Sequence, residues 1–198
     1  MLASPKATNA YLLGTNGSLV SRSARLLNGQ QIAIDADSIV HDGAVIDAAA
    51  AAVSIGRGSV IGSGTMLQPP AARRRNDHAT KPLRVGEECL IGACCTIRGS
   101  VGDRVRIGKG CVVGERSALG EGCELPDGVS LPSDTIVPPR TVVRRGAGQG
   151  SGTELQAVKL PPEAEAALLR DVEAVRTRFR ARMRTHGANR AAAADSHR

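Results

Sequence analysis

The sequence predicts a mainly β protein: a parallel β-helix of hexapeptide repeats with a C-terminal α-helix packed on its flank. Three observations carry this. Val85 to Val142 divides into six-residue words. The chain has no Trp, one Tyr and one Phe, too little aromatic material for a conventional core. Far downstream, Leu168, Val172, Val175, Phe179 and Met183 recur at spacings of four, three, four and four, one apolar stripe on a helix.

The words are VGEECL, IGACCT, a short IRGS, VGDRVR, IGKGCV, VGERSA, LGEGCE, LPDGVS, LPSDTI and VPPRTV. Their first letter is aliphatic, and their fifth is small or β-branched. Six is a multiple of the strand period of two but not of 3.6, so both letters fall on one face of an extended chain. A fixed short period of this kind marks a solenoid of stacked short strands. Gly at the second letter lets the chain turn a corner without a Cβ clash. The interior is then a set of ladders of Ile, Val, Leu and small residues, which suits a chain that is 41% hydrophobic and nearly free of aromatics.

In chain order, residues 1–10 are predicted to be disordered. Tyr11 to Ile34 alternates loosely around turn signals at Asn16-Gly17 and Asn28-Gly29, as a strand pair capping the first coil would. The first clean words begin at Ile34, Val40 and Ile46, and then at Ile55, Ile61 and Leu67. Residues 68–84 form a long loop without repeat letters, of a length that is usually functional or disordered. The second block runs from Val85 to Val142, with one four-residue step from Ile97 to Val101. The β-helix is thus placed at 11–143. About sixteen words at three per coil predict roughly five coils, about 25 Å tall at ~4.8 Å per coil. Residues 144–160 are Gly-rich at their start and are predicted to be a linker. The helix is placed at 161–185, opened by Pro161-Pro162 and ended by Gly187. Residues 186–198 are predicted to be a disordered tail.

The net charge is +7, and Arg170 to Arg198 alone holds eight Arg against three acidic residues. Without aromatic stacking platforms, this excess reads as a solvated helix face and not as a nucleic-acid site. No apolar run near the N-terminus makes a signal peptide, and none is long enough to insert in a membrane. A cytosolic protein with reduced thiols is expected.

No catalytic, cofactor-binding or metal site is predicted. Cys89, Cys95, Cys111 and Cys123 all occupy the inward fifth letter, where Ser, Thr or Val serves in other words; only Cys94 lies off that ladder. No CxxC occurs, so zinc spacing is absent. Of the four His, His41 follows an aliphatic first letter and is expected to point outward, while His78 lies in the loop beside Arg73, Arg74 and Arg75. A loop His could serve as the base of a hexapeptide acyltransferase; a solvated loop residue is the simpler expectation. The Gly-x-Gly words lack the strand-then-helix context of a phosphate-binding loop.

The β-helix, the loop after its first block and the helix behind it resemble the carbonic-anhydrase-like hexapeptide superfamily. Within that superfamily the chain resembles the dynactin subunit 5 family. The matching pieces are Gly17 with Val20-Ser21-Arg22, the blocks VHDGAVI and VSIGRGSVIGSGTMLQPP, and PLRVGEECLIG after the loop. LPSDTIVPPRTVV, then Ser151-Gly152-Thr153-Glu154-Leu155 and the helix, complete them. The family's usual Arg-Gly-Asp after the third word is here Asp47-Ala48-Ala49, and its aromatic loop is Ala- and Arg-rich. The resemblance implies a left-handed solenoid without enzymatic activity, located in the cytoplasm and cytoskeleton. It also implies a place in the pointed-end cap of dynactin's actin-like filament, beside dynactin subunit 6 (a paralogous β-helix), dynactin subunit 4 and the pointed-end actin-related protein, with dynein cargo adaptors as further partners. The alternative is an enzyme of the hexapeptide class, a γ-type carbonic anhydrase or an acyltransferase. For the subunit, the candidate partner-contact residues are Arg73, Arg74, Arg75 and His78 in the loop, and Arg176 and Arg180 on the helix.

Overall fold

The computed structural model describes residues 11–14, 16–70, 81–145 and 155–195. After β1 (Tyr11–Leu13), the chain climbs a three-sided parallel solenoid. The first turn is β2 (Leu19–Ser21), β3 (Arg25–Leu27) and β4 (Ile32–Ile34). The second is β5 (Ile39–Val40), β6 (Val45–Asp47) and β7 (Val53–Ile55). The third is β8 (Val60–Ile61), β9 (Met66–Leu67) and β10 (Leu83–Val85). The fourth is β11 (Leu90–Ile91), β12 (Thr96–Ile97) and β13 (Ser100–Val101). The fifth is β14 (Arg106–Ile107), β15 (Val112–Val113) and β16 (Ala118–Leu119). The sixth is β17 (Glu124–Leu125), β18 (Ser130–Leu131) and β19 (Ile136–Val137). β20 (Thr141–Arg145) starts a seventh, β21 (Leu155–Lys159) folds back antiparallel on it, and α1 (Pro162–Asp195) follows.

Every third strand stacks in parallel register, which gives three flat faces. Face one is a nine-stranded sheet from β1 to β21; faces two and three have six strands each. The repeat maps onto this directly. First letters such as Ile61, Ile91, Ile107 and Leu125 form one inward ladder and are buried.

Two further letters have sharper roles than the sequence suggests. The second-letter N–H donates to the first-letter carbonyl one coil on, as from Gly62 to Ile91 at 2.9 Å and from Gly114 to Leu131 at 3.0 Å. In the sixth turn the second letters are Pro126, Pro132 and Pro138. Among the described residues no further strand stacks on faces two and three above Pro132 and Pro138 to accept a bond, and proline brings no N–H to strand. The fifth letter is a hydrogen-bond donor. Ser59 Oγ donates to Gly86 O at 2.7 Å, Thr65 Oγ1 to Gly92 O at 2.8 Å and Ser117 Oγ to Pro132 O at 2.7 Å. Cys89, Cys95, Cys111 and Cys123 use their thiols in the same way, toward Gly102, Gly108, Pro126 and Pro138.

The irregular steps all fall on the corner between faces two and three. It takes eight residues from Leu26 to Ile34, nine from Ile46 to Ile55, eighteen from Leu67 to Val85, and four from Ile97 to Val101. The next strand resumes its register after each of these steps, because lengthening a loop at a corner costs little.

Three boundaries differ from the sequence expectation. The first coil already begins at Leu19, so there are six full turns and not five; its corners lack the second-letter Gly that announces later words. β1 does cap it, pairing antiparallel with β2. The linker at 144–160 holds the end of β20 and all of β21. Gly187 does not end the helix, which runs to Asp195; a single internal Gly costs about 1 kcal/mol, and Ala188 with Ala191 to Ala194 favour helix strongly. Residues 1–10, 71–80 and 196–198, on which the other disorder and loop expectations fall, lie outside the described residues.

Candidate functional site

The helix is what differentiates the three faces. It starts beside β21 and runs antiparallel to the solenoid axis across face one. Leu160, Ala164 and Leu168 first meet Arg106, Cys123 and Glu124 around a small cleft of about 90 Å³. Asp171 then pairs with Arg106 at 2.5 Å. Further on, Val175 packs with Leu19, Ile39, Val60 and Leu90, the outward residues of face one in the early turns. Leu168 and Val172 are buried, each worth about 1.5–3 kcal/mol of apolar transfer. The predicted flank position and the first three members of the predicted stripe are therefore in place.

Of the predicted contact residues, Arg73, Arg74, Arg75 and His78 lie outside the described residues. The ends of their loop are fixed at the corner between faces two and three: Gln68 N donates to Ile97 O at 3.0 Å, and Gln68 Nε2 to Asp47 Oδ2 at 3.2 Å. The loop therefore leaves the solenoid on the edge opposite face one. Arg176 and Arg180 are not beside it. Both turn to Asp37 at the corner before β5, Arg176 at 3.6 Å. The Arg176 side chain is only 13% exposed, lies against Gly58 and also bonds Glu173 at 3.1 Å. These two arginines fasten the helix to the second turn. Asp37, Arg106 and Asp171 are not among the predicted residues; Arg106 carried a signal, a charge on an outward letter of face one opposite the stripe of a flanking helix.

Faces two and three carry no helix. The outward ladder of face two is Arg25, Val45, Met66, Thr96, Val112 and Ser130, apolar in its middle with Met66 and Val112 exposed. An open depression of about 530 Å³ lies on it, lined by Thr96, Arg98, Val112, Glu115, Pro132 and Ser133. Face three shows small or polar residues and an exposed Ile136. Among the described residues, no three or more His, Cys, Asp or Glu gather as metal ligands would.

His41 is less outward than expected. It is half-buried and 3.3 Å from the Tyr11 hydroxyl, and burial lowers its pKa against the opposing effect of Asp42. The Cys89, Cys95 and Cys123 thiols are held neutral. Burial raises Cys89 to about 12 and also pushes Cys123 up. In the Cys95–Cys111 pair, contact between the two thiols, with burial, pushes Cys95 up. Cys89 therefore ionises later in the fold than in the unfolded chain. Its contribution is complete below about pH 9 and is lost as pH rises toward 12. Cys89→Ser keeps the donor to Gly102 and removes the titration. Urea unfolding at pH 8 and pH 10 is expected to show the wild type losing about 1.4 kcal/mol more than this variant.

The comparisons with known proteins fit this architecture. A family model described as dynactin subunit 5 matches residues 6–174, through the solenoid and into the helix. Dynactin subunit 5 of Dictyostelium discoideum is 33% identical over 87 residues, 44% of this chain and 44% of that protein. The match thus spans less than half the length of that relative. A hexapeptide transferase family protein from Anaplasma phagocytophilum superposes with a TM-score of 0.62 at 18% identity, covering 83% of this chain and 92% of that one. AntD, an N-acyltransferase from Bacillus cereus solved with dTDP and 3-hydroxybutyryl-CoA, gives 0.58 at 13% identity, covering 84% and 88%. At these identities the two structures show the shared fold alone, the left-handed hexapeptide β-helix.

Proposed function

Because the chain belongs to the dynactin subunit 5 family, we propose that it is a structural, non-enzymatic subunit of the dynactin complex in the cytoplasm and cytoskeleton. In this role it forms part of the pointed-end cap of the actin-like filament. Dynactin subunit 6, dynactin subunit 4 and the pointed-end actin-related protein are its neighbours, and it supports the engagement of dynein–dynactin with cargo adaptors in microtubule-based transport. The observation that carries this is the extent of the family match, 6–174, which takes in all six turns and the start of the helix.

The geometry suits the role. A three-sided prism with one face strapped by a helix leaves two flat faces and a basic loop for docking. Arg73, Arg74, Arg75 and His78 make the direct contacts, at an edge the helix does not reach. Arg176 and Arg180 act by holding the helix in register.

Affinity purification of the tagged full chain from native cells, followed by mass spectrometry and metal analysis, tests this. The expected result is co-purification with an actin-related protein and a second β-helix chain. Stoichiometric zinc, or a homotrimer that binds acyl-CoA and brings down neither partner, would sink the proposal.

A further inference from the structure

The two ends of the prism are finished differently. At the C-terminal end the last inward layer is Leu131, Val137 and Val143, exposed by only 1%, 4% and 2%. The proline second letters leave no stranded N–H there. At the N-terminal end two of the three corresponding inward positions are open, and the third, Ile34, is half-buried. Leu12, opposite Val20 on β1, is 48% exposed, and Leu26 on β3 is 39% exposed. Leu13 and Leu27 beside them are also exposed.

The strand edges differ in the same way. β1 closes face one, but among the described residues nothing pairs with the free edges of β3 and β4. Arg25 N donates to Ala44 O, and Leu27 O accepts from Ala48 N. The groups of Arg25 and Leu27 thus face the second turn. Successive residues of a strand alternate, so the N–H and C=O of Leu26 point out of the open end. A bare edge of this kind is a template for another strand.

Charge selects the edge and the occupant. β3 carries the exposed Arg25, whereas β4 runs straight into the exposed Asp35.

We propose that the N-terminal end of the solenoid is a strand-addition site. A partner protein would lay an extended segment of alternating apolar and acidic residues along the free edge of β3. Main-chain bonds to Leu26 give affinity; the apolar residues cover the open leucines, and the acidic residues meet Arg25. This site does not rest on the dynactin assignment, because the protein and a peptide suffice to test it.

The probe is a fluorescein-labelled heptapeptide, Asp-Val-Glu-Leu-Asp-Val-Glu, titrated into the full chain and followed by anisotropy and amide hydrogen exchange. Saturable binding that slows exchange at Leu26, and that weakens at least tenfold in Arg25→Glu, is the expected result. Arg25 is exposed, so this variant keeps the fold. Equal binding by Lys-Val-Lys-Leu-Lys-Val-Lys, or binding without protection of Leu26, overturns the proposal. So does a dimer in light scattering that Arg25→Glu dissociates, since a second copy would then occupy the end.

Discussion

Gly62→Ala is expected to destabilise the protein by about 3 kcal/mol or more, whereas Gly110→Ala costs about 1 kcal/mol. Both are corner glycines on the edge between faces one and two, and they are there for different reasons. A Cβ on Gly62 would sit 2.4 Å from the Gly92 carbonyl carbon and 2.6 Å from Ala93 N. Those are backbone atoms of the next coil, held by ladder bonds on either side, and they have no rotamer by which to move away. The methyl group must push the coils apart. Gly110 has φ +64 and nothing within 4 Å of a Cβ, so alanine there meets only the strain of a left-handed backbone. Arg104, Arg116 and Cys94 already accept that conformation at equivalent corners. Urea unfolding of the two variants separates the cases. Equal costs would show that the stacked corner tolerates a Cβ.

Ile91→Ala is expected to cost about 3–4 kcal/mol, near the upper half of the usual range for core truncation. Leu26→Ala should cost about 1 kcal/mol or less, because 39% of Leu26 is already solvated. Ile91 lies in the fourth turn between Ile61 and Ile107 and is buried. Its coil cannot collapse into the gap, since backbone hydrogen bonds above and below fix the spacing. A solenoid is close to one-dimensional, so damage in the middle weakens both halves. The unfolding transition of Ile91→Ala should therefore broaden, with a lower urea slope than that of the wild type. A full-sized slope with a loss under 1 kcal/mol would show that the interior relaxes.

The period of six made the architecture legible because each letter has one fate: inward, corner or outward. It failed where the letters are unusual. The first coil is hard to see because Ser21 and Leu27 bring no corner Gly and an eight-residue step separates Leu26 from Ile34. The thiols lie inside, as their fifth-letter position predicts. Only coordinates show that Cys89 and Ser59 hold the same bond to the next corner. The tie between the helix and the solenoid was half legible. The apolar stripe announced a docked helix, but Asp37 and Arg176 are 139 positions apart, and no local pattern joins them. The contact residues proposed for partners could be named from charge alone, since charge on a long loop is visible in sequence while its docking geometry is not.

The surplus length of α1 sets how far the molecule could grow. Thirty-four helical residues measure about 51 Å, against about 38 Å for the nine strands they cross. Duplicating one eighteen-residue coil ahead of the terminal prolines would lengthen the prism by ~4.8 Å, and two such duplications would still leave the helix long enough to reach the first strand. A coil added after Pro138 would find no N–H at the sixth-turn corners to bind it. The tail of this protein is thus a ruler with unused graduations, and its prolines mark the zero from which any lineage of longer or shorter prisms would have to be counted.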